Sequence, residues 1–251
     1  SAGISACEKG GQWQRALLLM DELRNAKLQP NDFSYNAGIS ACEKGGRWKE
    51  ALVLLAEMQE SKVRADIISY SAGISACEKR EQWQQALSLL SEMQEAKVKP
   101  NRISFNAGIS ACNRGEQWQH AVSLFRELME AKFEPDIISF NAGICAWEQG
   151  GQWHQALRLL REIGDLKLEP RVIDYGVGIG ACDKAGQWQI VLRLLSEMWQ
   201  TELAPDVTVY SAAMRACERG ARSYQSLSLL SSMDDEAGDH CHQLQCGCAE
   251  L

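Results

Sequence analysis

Apolar residues recur along this chain in two alternating helical patterns. Between Ile67 and Asn101, Tyr70, Ile74 and Cys77 stand at i, i+4 and i+7, and Trp83, Ala86, Leu87, Leu90 and Met93 stand at i, i+3, i+4, i+7 and i+10. Each spacing is that of one face of an α-helix. They predict a first helix from about Ser69 to Lys79 and a second from about Trp83 to Ala96. A short turn joins them, and in the equivalent stretches it reads Gly10-Gly11 and Gly45-Gly46. Pro100 closes the stretch, because proline cannot continue a helix. The first helix carries a second, polar stripe of Ser71, Ser75 and Lys79. On the second helix the recurring Glu22, Glu57, Glu92, Glu127, Glu162 and Glu197 fall opposite the Trp–Leu face and read as a solvated outer surface.

The whole pattern repeats. Tryptophan returns every 35 residues at Trp13, Trp48, Trp83, Trp118, Trp153 and Trp188, without an insertion. Further repeats begin at Asp32, Arg102, Ile137, Val172 and Val207, and a truncated one begins at Ser1, the fifth position of its repeat. A helix pair of this size cannot bury its apolar face alone, so neighbouring pairs must stack. The expected fold is all-α: a right-handed α-solenoid of stacked antiparallel helix pairs over residues 1–234, about seven repeats with the first truncated and the last degenerate, then an irregular tail over 235–251. The Trp and Met columns fall on the apolar helix face and read as core, not as a ligand cage. Gly73 and its equivalents Gly3, Gly38, Gly108, Gly143 and Gly178 mark places where a side chain would collide with a neighbouring helix.

Composition adds little to this picture, and charge adds more. No apolar run approaches the roughly 18 residues needed to span a bilayer, and the chain begins inside a helix, as a segment of something longer would. Six of the ten cysteines (Cys7, Cys42, Cys77, Cys112, Cys182 and Cys217) share one column. Stacked helices lie about 8–10 Å apart, beyond the ~7 Å reach of a disulfide, so these thiols read as small buried hydrophobes in a reducing compartment. His240, Cys241, His242, Cys246 and Cys248 match no usual zinc spacing, and no phosphate loop or nucleophile motif is present; neither a metal, a cofactor nor catalysis is expected. The net charge of −7 excludes a generally basic nucleic-acid binder. One face differs: the last column of the polar stripe is Lys9, Lys44, Lys79, Arg114, Gln149, Lys184 and Arg219, a cation in six of seven repeats. Lysine or arginine at a helix C-terminus can serve the helix dipole alone. That does not explain why the first column of the stripe alternates Ser1, Asn36, Ser71, Asn106, Asn141, Gly176 and Ser211.

The chain resembles the P-type pentatricopeptide repeat proteins, RNA-binding arrays of chloroplasts and mitochondria. The resemblance rests on the 35-residue period, on Phe105-Asn106, Arg114-Gly115, Ala121-Val122, Leu124-Phe125, Glu127 and Pro135-Asp136 in one repeat, and on Ala51-Leu52, Leu55 and Glu57-Met58 in another. It implies single-stranded RNA bound one base per repeat, in organellar RNA processing, stability, editing or translation. The fifth and last residues of a repeat would select the base: Ser1 with Asn31, Asn36 with Asp66, Ser71 with Asn101, Asn106 with Asp136, Asn141 with Arg171, Gly176 with Asp206, and Ser211 in the last repeat. The family code reads Ser-Asn as adenine and Asn-Asp as uracil, which gives a core of 5′-A-U-A-U-pyrimidine. The aliphatic or aromatic second residues, Phe33, Ile68, Ile103, Ile138 and Ile173, would pack against base faces. The cations Lys9, Lys44, Lys79, Arg114, Lys184 and Arg219 would meet phosphates. The chain departs from the family where Arg171 is an unusual selector, Gly176 has no side chain, Gly73 and Lys97 sit where the family commonly places Leu and the glycine that caps the second helix, and the last repeat has Arg215 inside the polar stripe and Tyr224 one place off the Trp register. The alternative is a protein-binding scaffold of the same architecture, using the acidic outer face.

Overall fold

The computed structural model describes residues 2–131, 133–166 and 168–220. Ser1, expected to select a base, Tyr224, and the tail from 235 with its Cys and His residues lie outside them. The chain divides into two compact units, Ser1–Pro135 and Asp136–Leu251. The first contains α1 (Ala2–Lys9), α2 (Trp13–Asn25), α3 (Asp32–Lys44), α4 (Trp48–Glu60), α5 (Ile67–Glu78), α6 (Trp83–Glu95), α7 (Arg102–Arg114) and α8 (Trp118–Glu130). The second contains α9 (Ile137–Gln149), α10 (Trp153–Asp165), α11 (Val172–Lys184), α12 (Trp188–Gln200) and α13 (Val207–Arg219). Among the described residues every element is a helix, and the all-α class and helix-pair solenoid read from the sequence are observed.

In the first unit the first helices of successive repeats stand side by side, α1 against α3, α3 against α5 and α5 against α7. Each second helix packs on its own first helix and on the next: α2 on α1 and α3, α4 on α3 and α5, α6 on α5 and α7. The second unit repeats the scheme with α9, α11 and α13 in a row and α10 and α12 behind them. The row of first helices is possible because their buried columns are small or slender: Ile39, Ile74, Ile109, Ile144 and Ile179 are all 0% exposed, flanked by Ala41, Ala76, Ala111 and Ala146 at the same value. The glycine column tightens the seam. A Cβ on Gly108 would stand 2.7 Å from Leu90 Cδ1 and 3.2 Å from Leu124 Cδ1.

The cysteine column is buried as free thiols at Cys42, Cys77, Cys112, Cys182 and Cys217. Loss of solvent pushes Cys77 up to about 11 and Cys112 up to about 12, so both stay as inert, protonated packing groups. The six tryptophans of the 35-residue column, by contrast, are half-buried. They seal the seam between repeats: a Cβ on Gly45, Gly115 or Gly220 would overlap the indole of Trp13, Trp83 or Trp188, and the Arg47 guanidinium lies 4.3 Å from the Trp13 ring centre. The turn after the second helix takes the left-handed conformation without glycine, at Lys27, Lys62 and Lys97 with φ of 53°, 57° and 56°. That conformation costs a non-glycine residue about 1–2 kcal/mol. Hydrogen bonds such as Lys97 N–H to Gln94 O and Val98 N–H to Met93 O, both 2.9 Å, hold it in place.

Candidate nucleic-acid interface

In five repeats the last residue caps the first helix of the next with its side chain, and Arg171 makes no such bond. Asn31, Asp66, Asn101, Asp136 and Asp206 all have extended backbone, and their side chains accept the backbone N–H of Ser34, Ser69, Ser104, Ser139 and Val209. This satisfies a donor that the helix itself cannot. The cap fixes the side chain at the mouth of its helix, and in the first unit this brings Asp66 and Asn101 close to the fifth residues Asn36 and Ser71.

Two such pairs are seen in full within the first unit. Asn36 Nδ2 donates to Asp66, with Oδ1 at 3.3 Å and Oδ2 at 3.4 Å, and Asn36 Oδ1 accepts from Ser69 Oγ at 2.6 Å. Ser71 Oγ stands 2.9 Å from Ser104 Oγ, which donates to Asn101 Oδ1 at 2.8 Å. Asn106 lies half-buried on α7 and Asp136 caps α9, one in each compact unit. Within the second unit, Asn141 is half-buried on α9 while Arg171 is exposed and held by Asp174, whose Oδ1 lies 3.6 Å from the guanidinium. Gly176 stands over Val209, whose Cγ2 would lie 3.4 Å from an added Cβ. Ser211 turns its hydroxyl back to Val207 O at 2.6 Å.

Beside these pairs the second residue of each repeat points outward. Phe33 is 74% exposed, and Ile68, Ile103, Ile138 and Ile173 lie between 55% and 60%. Single exposed apolar residues need no explanation, but five at one register position, each next to a polar pair, form a repeating amphipathic site. Asn36, Asp66, Phe33 and Ile68 line one open hollow of about 560 Å³, with Asn31 and Glu8 at its edge. Its two apolar walls and polar floor suit a flat heteroaromatic ring with hydrogen-bonding edges.

The cation column is engaged in a ladder. Lys44 pairs with Glu8 and Lys79 with Glu43, both at 2.9 Å; Arg114 reaches Glu78 at 3.6 Å, Lys184 reaches Glu148 at 3.1 Å, and Arg219 reaches Asp183 at 3.1 Å. Lys79 also donates to Glu43 O and Arg219 to Asp183 O, at 3.1 and 2.8 Å, so each closes the end of the preceding first helix. Burial raises the Glu78 carboxyl above its ordinary range, with Arg114 and Lys79 acting against it. The cations remain roughly half exposed, which leaves them open to a phosphate as well as to their carboxylates. The sequence carried a trace of the ladder: the repeat with an amide in the acid column, Asn113, is followed by the repeat with an amide in the cation column, Gln149.

Comparison with known proteins gives this arrangement a family. The sequence profile described as "Pentatricopeptide repeat domain" matches residues 53–114, 123–185 and 158–219, and that described as "PPR repeat" matches 33–63 and 103–133. The fold resembles the crystal structure of the pentatricopeptide repeat protein PPR10 from maize, with a TM-score of 0.69 and 25% identity over 92% of this chain and 33% of that one. It also resembles PPR10 in complex with an 18-nt psaJ RNA element, at TM-score 0.63 and 23% identity over 96% of this chain and 34% of the other. A third likeness is the PPR domain of Arabidopsis thaliana protein-only RNase P 1 in complex with tRNA, at TM-score 0.60 and 17% identity over 66% and 88% of the two chains. The chain thus spans about a third of the PPR10 chains it matches. It matches no curated protein in sequence.

Proposed function

The chain belongs to the pentatricopeptide repeat family, and from that we propose that it binds single-stranded RNA, each repeat reading one base, in the RNA metabolism of a chloroplast or mitochondrion. The observation that carries this reading is the polarity of the selector pairs. Ser104 gives its single hydroxyl proton to Asn101, so Ser71 must donate to Ser104, leaving lone pairs on Ser71 Oγ and N–H groups on Asn101 for a ligand. An acceptor beside a donor is the complement of the adenine edge, with Ser71 at the exocyclic N6 amino group and Asn101 at N1.

The neighbouring pair has the opposite sense. Ser69 gives its single proton over the shorter contact, 2.6 Å, to Asn36 Oδ1, so the Asn36 nitrogen faces Asp66 and the hollow, while Asp66 Oδ1 accepts the Ile68 and Ser69 backbone N–H groups and Oδ2 keeps only the long contact to Asn36. A donor beside an acceptor complements uracil, with Asn36 at O4 and Asp66 at N3–H. The base takes the same pose in both repeats: the fifth residue meets the exocyclic group and the last residue meets the ring nitrogen. The exposed second residues on either side, such as Phe33 and Ile68, supply the sandwich. The core recognised is 5′-A-U-A-U followed by a pyrimidine, with the cation column contributing phosphate contacts.

A fluorescence anisotropy titration at two salt concentrations tests this. An RNA containing 5′-AUAUCU should bind at least tenfold more tightly than a scrambled strand, with affinity falling as salt rises because phosphate neutralisation releases counterions. Equal affinity for both strands would remove base reading, and no binding to either would leave the array as a protein scaffold.

A further inference from the structure

The third residue of each repeat is almost wholly enclosed: Ser34, Ser69, Ser104, Ser139, Asp174 and Val209 are each no more than 2% exposed. In two repeats of the first unit it sits between the two selectors of the preceding repeat. Ser69 Oγ lies 2.6 Å from Asn36 Oδ1 and 2.9 Å from Asp66 Oδ1, and Ser104 Oγ lies 2.9 Å from Ser71 Oγ and 2.8 Å from Asn101 Oδ1. The buried hydroxyl therefore decides which end of each selector faces the ligand. Its chemistry follows the pair it serves. Serine stands under the Ser and Asn selectors, and valine stands under Gly176, which has nothing to orient.

Asp174 breaks the pattern. By register it occupies the place that Ser69 occupies three repeats earlier, the place that serves Asn141 and Arg171 as Ser69 serves Asn36 and Asp66, and it contacts Arg171 directly. A carboxylate has no proton to donate. Asp174 Oδ2 accepts the Arg171 backbone N–H at 2.6 Å and Oδ1 lies 3.6 Å from the Arg171 guanidinium, but neither Asp174 Oδ1 nor the buried Asn141 Oδ1 receives a hydrogen bond. Two acceptors thus stand where the serine-based repeat shares a proton. Turning the Asn141 amide over relieves both at once, because Nδ2 then donates to Asp174 and Oδ1 faces the ligand. The two ends of an amide have the same shape, so the surrounding network determines the orientation.

We infer that Asp174 reverses Asn141 and so makes this repeat a cytosine reader. In the base pose proposed above, on which this inference rests, the reversed Asn141 oxygen accepts from the exocyclic N4 amino group and the exposed Arg171 guanidinium donates to N3. Uracil would set its O4 against the Asn141 oxygen and its N3–H against the guanidinium, two mismatches. Asp174 is a positioning residue: it sets the choice without touching the base.

The test compares 5′-AUAUCU with 5′-AUAUUU on the wild-type chain, on Asp174→Ser and on Asp174→Asn, each of which restores a donor beneath Asn141. A thermal melt of each variant verifies the fold. Wild type should prefer the cytosine strand about tenfold. Both variants should lose that preference to within about twofold while still binding the 5′-AUAU core above a scrambled strand, an outcome that mere destabilisation would not give. Adding Arg171→Asp to Asp174→Ser recreates the Asn-Asp pair over serine, and should move the preference to uracil. No cytosine preference in wild type, or one that survives in both variants, overturns the inference while leaving RNA reading intact. Indifference of every form to the 5′-AUAU core would instead bring down the RNA reading itself.

Discussion

Changing Ile68, Ile103 and Ile138 together to alanine should lower affinity for the 5′-AUAU strand by a hundredfold or more while leaving the fold unchanged. The three side chains are between 55% and 59% exposed, so they contribute little to folding. Covering such a chain with a base removes its apolar surface from water and is worth on the order of 1–1.5 kcal/mol. Three lost contacts come to about 3–4 kcal/mol, at one power of ten per 1.4 kcal/mol. The same triple variant should melt within roughly two degrees of wild type. Unaltered RNA affinity would mean that bases do not lie against these residues, and that the hollow between Phe33 and Ile68 serves another ligand.

The opposite result is expected six positions further along α7. Ile109 is 0% exposed in the middle of the first-helix row, with Ile74 equally enclosed in the helix beside it. Ile109→Ala leaves a cavity that close-packed helices cannot fill, and such a change costs about 2–5 kcal/mol. Each repeat is supported only by its neighbours, so the loss falls on one junction and should broaden the unfolding transition. Urea unfolding followed by circular dichroism should show a lower midpoint and a shallower slope. A midpoint unchanged from wild type would mean that this row does not hold the array together. Ile103 and Ile109 are the same residue type in one helix, and burial alone assigns one to the ligand and the other to the fold.

The helices were legible because their signal is periodic burial. The spacing of Tyr70, Ile74 and Cys77 placed the first helix at Ser69–Lys79, against Ile67–Glu78 observed, and Trp83 marks the start of the second in both. What periodicity misses is polar chemistry inside the stack. Ser34, Ser69, Ser104 and Ser139 are as buried as the isoleucines, yet carry hydroxyls whose value depends on partners in another repeat. Their signal was present as Asn31 or Asp66 followed three residues later by serine, the spacing of a reciprocal helix cap. The cation column was legible as a row, but not as a ladder, because each ion pair joins residues 36 positions apart, as Lys44 does with Glu8. The tryptophans read as core because they share the apolar face; they instead close its edge, half in water, over glycines such as Gly45 and Gly115.

The central claim is that one repeat reads one base through its fifth and last residues. The double variant Asn36→Ser and Asp66→Asn keeps Ser69 beneath the pair and converts its donor–acceptor sense from that of Asn36 with Asp66 to that of Ser71 with Asn101. Titrated against 5′-AUAUCU and 5′-AAAUCU, wild type should favour the first strand about tenfold and the double variant the second by a similar factor, with both forms tolerating the other positions equally. If the variant keeps the preference for uracil at that position, or loses all discrimination between the two strands along with its affinity for both, then Asn36 and Asp66 do not select the base.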